Sequence, residues 1–328
     1  MPRYVSAIVG TLAWLGVIGV RRPRLSSEEW GESLLLFAAL VLFPLALRLA
    51  ADRDGQDRDE QTSGVSSGRL VLWTWVSRLQ LPAALLLAAA YLRKPDDIAV
   101  ALSLPWLLLL SATALAGTCR LLTHRRWFSA QACVDIALIY PVVGGVWVMV
   151  DRAGLRPLDF DAVIVRLTAV HFHYAGFMLP LLTGLATARL TSPLLPSLNF
   201  AVIAGVPLVA AGITCTQLGY SPILEVASAL WLALAAAGVG WLYLSLASSK
   251  EWPRIARLLW TIAGATLLAS MTLAGLYGLR AILPPTTIEW LTIPRMQAVH
   301  GTANAFGFSL LGAAGWFAAT RRCPARSS

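Results

Sequence analysis

His171 and His173 stand two residues apart in the run HFHYAGF, inside an otherwise apolar stretch, and they are half of the chain's four histidines. An ionisable side chain is costly in hydrocarbon, so an intramembrane histidine marks a functional site by default. A third histidine, His300, opens the last apolar run. Imidazoles can relay protons, tune a neighbouring acid or ligate a metal. On a regular helix, residues i and i+2 point about 200° apart. His171 and His173 therefore cannot chelate as a pair unless the helix unwinds, and no metal is expected. A histidine bonded to a carboxylate or a carbonyl fits the spacing better.

Four other charges fall inside apolar runs once the rest are assigned to loops: Arg78, Arg166, Asp135 and Glu225. Arg78 and Asp135 lie at similar depth and are expected to pair as a clamp between helices, because buried charges persist by pairing. Arg166 and Glu225 enter from the opposite end, with Glu32 and His300 at comparable depth. This set, floored by His171 and His173, is expected to form a pocket in the outer half of the membrane, although Glu32 and Arg166 could instead snorkel to the interface. Gln297, His300 and Asn304 fall at i, i+3 and i+7, on one helical stripe among small residues that permit close helix contact. Among the 13 tryptophans, Trp75 and Trp231 fall deep enough to wall an apolar cavity, and Tyr174 shares a face with His171.

The elements that must carry these residues follow from composition. The chain is 57% hydrophobic and 13% charged over 328 residues, with a mean hydropathy of +0.68, which is too apolar for a soluble globule. Runs long enough to span roughly 30 Å of hydrocarbon occur at about Tyr4–Val20, Ser33–Ala50, Leu70–Leu92, Ile98–Thr118, Ala130–Val150, Ala162–Leu190, Leu198–Gln217, Pro222–Ala247, Ile255–Leu279 and Gln297–Thr320. The expectation is an all-α polytopic bundle of about ten helices, forming a single domain over residues 1–328. The first run lacks a small-x-small cleavage site, so it reads as a retained span. Asp52–Gly68 reads as a polar connector.

Basic residues set the orientation. Arg3, Arg48, Arg53, Arg58, Arg69, Arg120, Arg125, Arg126, Arg189, Lys250, Arg254, Arg257, Arg321, Arg322 and Arg326 fall on one side. The other side has fewer, among them Arg21, Arg22, Arg93, Arg152 and Arg156, mixed with acids that include Asp151. Both termini are predicted on the cytoplasmic side of a bacterial cytoplasmic membrane.

Several classes are disfavoured. The net charge of +9 is spread over short loops and forms no basic stripe, which argues against nucleic acid. No Walker A or G-x-G-x-x-G run marks a nucleotide site. Cys119, Cys133, Cys215 and Cys323 are scattered, without metal-ligand or disulfide spacing. No cofactor is implied.

The runs VHFHYAGFMLPLLTGLA (Val170–Ala186) and AVHGTANAFGFSLLG (Ala298–Gly312) resemble the YndJ-like integral membrane proteins of bacteria, often described as transporters of unknown substrate. The resemblance implies a helical bundle in the cytoplasmic membrane, with His171, His173, His300 and Asn304 defining its site. In size and tryptophan content the chain also resembles small membrane-bound terpene cyclases of meroterpenoid pathways. That resemblance implies a metal-independent, protonation-initiated cyclisation of a prenyl chain on a lipophilic acceptor, alongside pathway partners such as a prenyltransferase and an epoxidase. Glu225 is then the first choice of acid and Asp135 the second, tuned by His171, His173 or His300. Glu32, Arg166, Tyr174, Asn304, Trp75 and Trp231 would bind substrate. The alternatives are a transporter of a small or lipophilic molecule, with the same residues as relay and site, and an accessory membrane protein whose polar residues serve assembly.

Overall fold

The computed structural model describes residues 5–22, 25–59, 67–284 and 288–320, and every regular element among them is helical. Among the described residues, seven helical stretches are long and apolar enough to cross a bilayer: Ser27–Ala51, Asp97–Thr123, Ala130–Arg152, Ala162–Thr187, Leu195–Gln217, Ile223–Ser248 and Arg254–Leu279. With the shorter apolar helix Val5–Arg21, they make the chain a multi-pass membrane protein. The expected connector is partly helical: one helix continues to Asp59 and the next begins at Ser67, and residues 60–66 lie outside the described set. The chain divides into two compact units, Met1–Trp127 with Gln131–Leu181, and Phe128–Ala130 with Leu182–Ser328.

The first unit contains α1 (Val5–Arg21), α2 (Ser27–Phe37), α3 (Phe43–Asp59), α4 (Ser67–Tyr91), α5 (Asp97–His124), α6 (Ala130–Ile139), which starts at the boundary, α7 (Pro141–Arg152), α8 (Ala162–His173) and α9 (Leu179–Thr187), which crosses into the second unit. Its centre is the α2–α3 span, whose apolar window is 78% buried. Among its described residues, two π-helical turns interrupt this unit, at Ala38–Leu42 between α2 and α3 and at Tyr174–Met178 between α8 and α9. Each ends two residues before a proline, Pro44 or Pro180. A proline ring clashes with the carbonyl four residues back and donates no hydrogen bond, and widening the preceding turn relieves both problems.

Side chains take up backbone carbonyls around these turns. Gln80 Nε2 donates to the Ala39 carbonyl at 3.0 Å, and Tyr174 donates its hydroxyl to the Leu34 carbonyl at 2.7 Å. Phe43 packs edge-on against Trp106 and tilted against Phe177, each pair with centroids 5.0 Å apart. Helix starts are specified locally. Ser26 and Glu29 form a capping box at α2. Asp96 caps α5, and its bond to the Arg93 guanidinium, then to the Ala99 amide, holds its carboxyl below the usual range.

The second unit contains α10 (Leu195–Gln217), α11 (Ile223–Ser248), α12 (Arg254–Leu279), α13 (Ile293–Met296) and α14 (Leu311–Thr320). Helices α11 and α12 touch backbone to backbone: a Cβ on Gly264 would lie 2.6 Å from the Gly240 carbonyl. Between α13 and α14 the chain is π-helical at Gln297–Gly301 and Ala303–Leu310. Trp252, Trp260, Trp316, Tyr243 and Phe308 pack against one another with centroids 4.8–6.3 Å apart. Trp316 donates to the Tyr243 hydroxyl at 2.9 Å.

In a membrane, helices associate through close packing rather than hydrophobic expulsion, so the glycine contacts carry the fold. Helix α1 crosses the first π turn so closely that a Cβ on Gly10 would sit on the Leu40 carbonyl, whereas one on Gly16 would meet nothing within 4 Å among the described residues. Gly10→Val is expected to cost roughly 1–3 kcal/mol as an overpacked contact, read as a lower midpoint of thermal unfolding in detergent. Gly16→Val should leave the midpoint unchanged; equal effects at both positions would show that the crossing is not tight.

Candidate functional site

Five helix ends in the first unit converge on a group of charges. Arg21 is the last residue of α1, Tyr91 the last of α4, and Asp151 with Arg152 close α7. The capped first turns of α2 present Glu28 and Glu32 at i and i+4. Arg166 comes from the second turn of α8.

Glu32 is the hub. Its Oε2 accepts from Arg21 Nη2 at 2.7 Å, and its Oε1 lies 3.7 Å from Arg152 Nη2 and 3.5 Å from Arg166 Nε. Arg152 also donates Nε and Nη2 to Asp151 Oδ2 at 3.1 and 2.7 Å and Nη1 to the Arg93 carbonyl at 3.3 Å. Its guanidinium carbon lies 4.0 Å above the centre of the Tyr91 ring, in cation–π geometry. Arg21 donates further to the carbonyls of Glu29 and Tyr91 and to Ser33 Oγ.

Arg166 is different. Its side chain is only 8% exposed, yet its Nε and Nη1 make no hydrogen bond among the described residues. The neighbouring carboxylate oxygens stand beyond ideal hydrogen-bond length: 3.5 Å at Glu32, 3.7 Å at Asp151 and 3.6 Å at Glu28. Glu28 itself is 63% exposed. The desolvated core thus places three guanidinium groups against the two carboxylates of Glu32 and Asp151, with Glu28 at the rim. Such an arrangement can bind an oxyanion.

The histidines of HFHYAGF diverge, as their spacing requires. His173 is buried, about 10 Å along α8 from Arg166 at 1.5 Å per residue. Its Nδ1 faces the Ala169 carbonyl at 2.8 Å, and its Nε2 accepts from Trp106 Nε1 at 3.1 Å. A carbonyl only accepts and an indole only donates, so both contacts select one neutral tautomer. The Trp106 ring lies nearly parallel to the imidazole, and a Cβ on Gly144 would fall 2.8 Å from Nδ1. His173 is a sealed packing element. His171 is exposed on the other side of the helix, with Nδ1 2.7 Å from the Leu167 carbonyl.

Glu225, His300, Asn304 and Trp231 belong to the second unit. Glu225 Oε1 lies 3.6 Å from Arg280 Nη2. His300 Nδ1 meets Ser270 Oγ at 2.9 Å, and Asn304 Nδ2 donates to the same hydroxyl at 2.8 Å. Trp231 is exposed and bonds the Ala201 carbonyl. Trp75, in the first unit, is also exposed; with Leu79, Pro82, Pro105 and Leu108 it lines an apolar groove of about 330 Å³ between α4 and α5.

Two sequence readings are corrected. Asp135 pairs with Arg120 at 2.7 Å rather than with Arg78, which is exposed. Arg21, Arg120, Asp151 and Arg152, read as loop charges, are buried. The reason is common to all four: the helices run past the apolar stretches, so a charge just beyond the hydropathy boundary still lies among neighbouring helices. The available signal was that Arg21, Asp151 and Arg152 crowd one membrane face beside Glu32 and Arg166.

Residues 33–308 match the family described as YndJ-like protein. The uncharacterized membrane protein YndJ of Bacillus subtilis strain 168 is 26% identical over 315 residues, 95% of this chain and 52% of its own length. The chain therefore spans about half the length of the curated relative it matches. No solved structure matches.

Removing the hub carboxylate leaves buried cations uncompensated, and breaking one partner out of a buried pair costs about 3–5 kcal/mol. Glu32→Gln is expected to lower unfolding stability in mixed micelles by that order. Trp106→Phe keeps the ring but strips the donor from His173 Nε2, at about 1–3 kcal/mol. A Glu32→Gln protein as stable as the parent would show that the cluster is solvated.

Proposed function

The chain belongs to the YndJ-like family, and we propose that it is a membrane transporter that recognises the anionic group of a lipophilic molecule at the Arg21–Arg152–Arg166 cluster. The observation that carries this reading is Arg166, whose buried Nε and Nη1 have no hydrogen-bond partner among the described residues. A desolvated guanidinium with unused donors is expensive, and an oxyanion supplies the acceptors it lacks in strong, charge-assisted bonds. The excess positive charge of the core favours an anion over a neutral or cationic guest. By the distribution of basic residues, this face is the outer one.

The irregular helices support movement around such a site. Transporters place interrupted helices near their binding sites, and π turns often occur at functional positions. Here they break the α2–α3 and α8–α9 spans, each of which also supplies the cluster with Glu32 or Arg166.

Prenyl cyclisation would require an acid aimed into an apolar cavity. The two acids considered for that role are each engaged by a guanidinium, Glu225 by Arg280 and Asp135 by Arg120. The deep aromatic rings of the second unit pack on each other. These contacts support anion recognition over proton donation.

Proteoliposomes containing fluorescently labelled phosphatidylglycerol or phosphatidylcholine test the proposal, with leaflet exchange read by dithionite quenching. Phosphatidylglycerol is expected to exchange faster than in protein-free vesicles, phosphatidylcholine is not, and Arg166→Gln should remove the difference. Equal exchange of both lipids, or exchange indifferent to Arg166→Gln, would refute it.

A further inference from the structure

Helix α2 offers Arg166 two carboxylates one turn apart, and they are held very differently. Glu32 is 13% exposed and bound by Arg21 at 2.7 Å, with Arg152 and Arg166 within 3.7 Å. Its departure would take a nearby carboxylate oxygen from all three guanidinium groups. Glu28 is 63% exposed and approaches Arg166 Nη1 at 3.6 Å, too long for a good hydrogen bond. An exposed ion pair of this kind contributes little, and water readily replaces it.

We infer that Glu28 is an internal stand-in for the ligand, and that the site exchanges it for a guest bearing a single negative charge. This inference rests on the anion-recognition reading of the same cluster. With Glu28 in contact, the guanidinium groups of Arg21, Arg152 and Arg166 face the carboxylates of Glu28, Glu32 and Asp151, and the charges balance. When Glu28 turns into water, one positive charge is uncompensated, and it lies at Arg166, where Nε and Nη1 have donors to offer.

One monoanion restores neutrality. A second negative charge on the guest would sit close to Glu32 Oε1 and Asp151 Oδ1, which already stand 3.5 and 3.7 Å from Arg166 Nε, and like charges at that range in a desolvated setting repel strongly. The class is therefore a carboxylate or a phosphodiester, not a phosphate monoester. Either a lipid headgroup or a soluble anion could present that charge.

The test uses the full chain in phosphatidylcholine nanodiscs at pH 8, titrated calorimetrically with dihexanoylphosphatidylglycerol, dihexanoylphosphatidic acid and the tail-less headgroup glycerophosphoglycerol. The singly charged phosphatidylglycerol is expected to bind more tightly than phosphatidic acid. Glu28→Gln should tighten phosphatidylglycerol binding by about two- to fivefold, the strength of the exposed pair it removes, while Glu28→Asp, which keeps the charge, stays near the parent. Tighter binding of the lipid than of glycerophosphoglycerol identifies a lipid headgroup as the guest; equal binding identifies a soluble monoanion, and both agree with the exchange. Unchanged or weaker binding in Glu28→Gln, or a preference for phosphatidic acid, overturns it. If binding still depends on Arg166 in that event, anion recognition survives and only the exchange fails. If Arg166→Gln binds phosphatidylglycerol as well as the parent does, the underlying reading fails too.

Discussion

Keeping three guanidinium groups away from water governs how the first unit is built. Each carries a desolvation penalty that only close, well-placed acceptors can offset. The single carboxylate of Glu32 is shared among all three, Asp151 takes two hydrogen bonds from Arg152, and backbone carbonyls at helix ends add to the compensation. Arg21 takes the Tyr91 carbonyl at the end of α4, and Arg152 takes the Arg93 carbonyl just beyond it. Carbonyls at a helix C-terminus have no partner within the helix and carry the negative end of its dipole, so cations are welcome there. The termini of α1, α4 and α7 meet the first turns of α2 and α8 because the charges need those groups together.

The fold class was legible in the sequence because it follows from bulk quantities, apolar content and run length, which tolerate local error. Seven of the ten runs also coincide, to within about six residues at each end, with helices long and apolar enough to cross. The polar site was only partly legible. Hydropathy marks where apolar residues stop, not where a helix stops or where its neighbours cover it. Arg21, Arg120, Asp151 and Arg152 lie just past such stops and are nonetheless buried, so the charge pairing inferred from the remainder, Arg78 with Asp135, was built on an incomplete set. Glu32 and Arg166 were recognised from depth alone. Their partners could be found only by knowing which helix ends meet.

The motif that draws the eye, HFHYAGF, has a different physical meaning from its composition. His173 is held in one neutral tautomer by a carbonyl and an indole, and Tyr174 donates its hydroxyl to α2 rather than lining a cavity. What the motif specifies is a widened turn ahead of Pro180, with polar side chains bonding the surrounding backbone. The second motif, around His300 and Asn304, likewise lies on π-helical turns and bonds a neighbouring serine. Polar residues inside a bilayer are as well suited to stabilising an irregular backbone as to chemistry. The α2–α3 span shows the same device without any histidine: its turn precedes Pro44 and is met by Gln80.

The short connection between α1 and α2 also bears on the order of assembly. Arg21 and Glu32 face each other across one hairpin, so the first two helices can enter the membrane with that pair already joined. The hairpin also brings Glu28, however, and Arg152 and Arg166 emerge from synthesis more than a hundred residues later. Until then Glu32 has only one of the three guanidinium groups that surround it in the finished unit. The completed cluster is thus a property of the finished chain, and the early helices reach their final arrangement only once the late ones arrive.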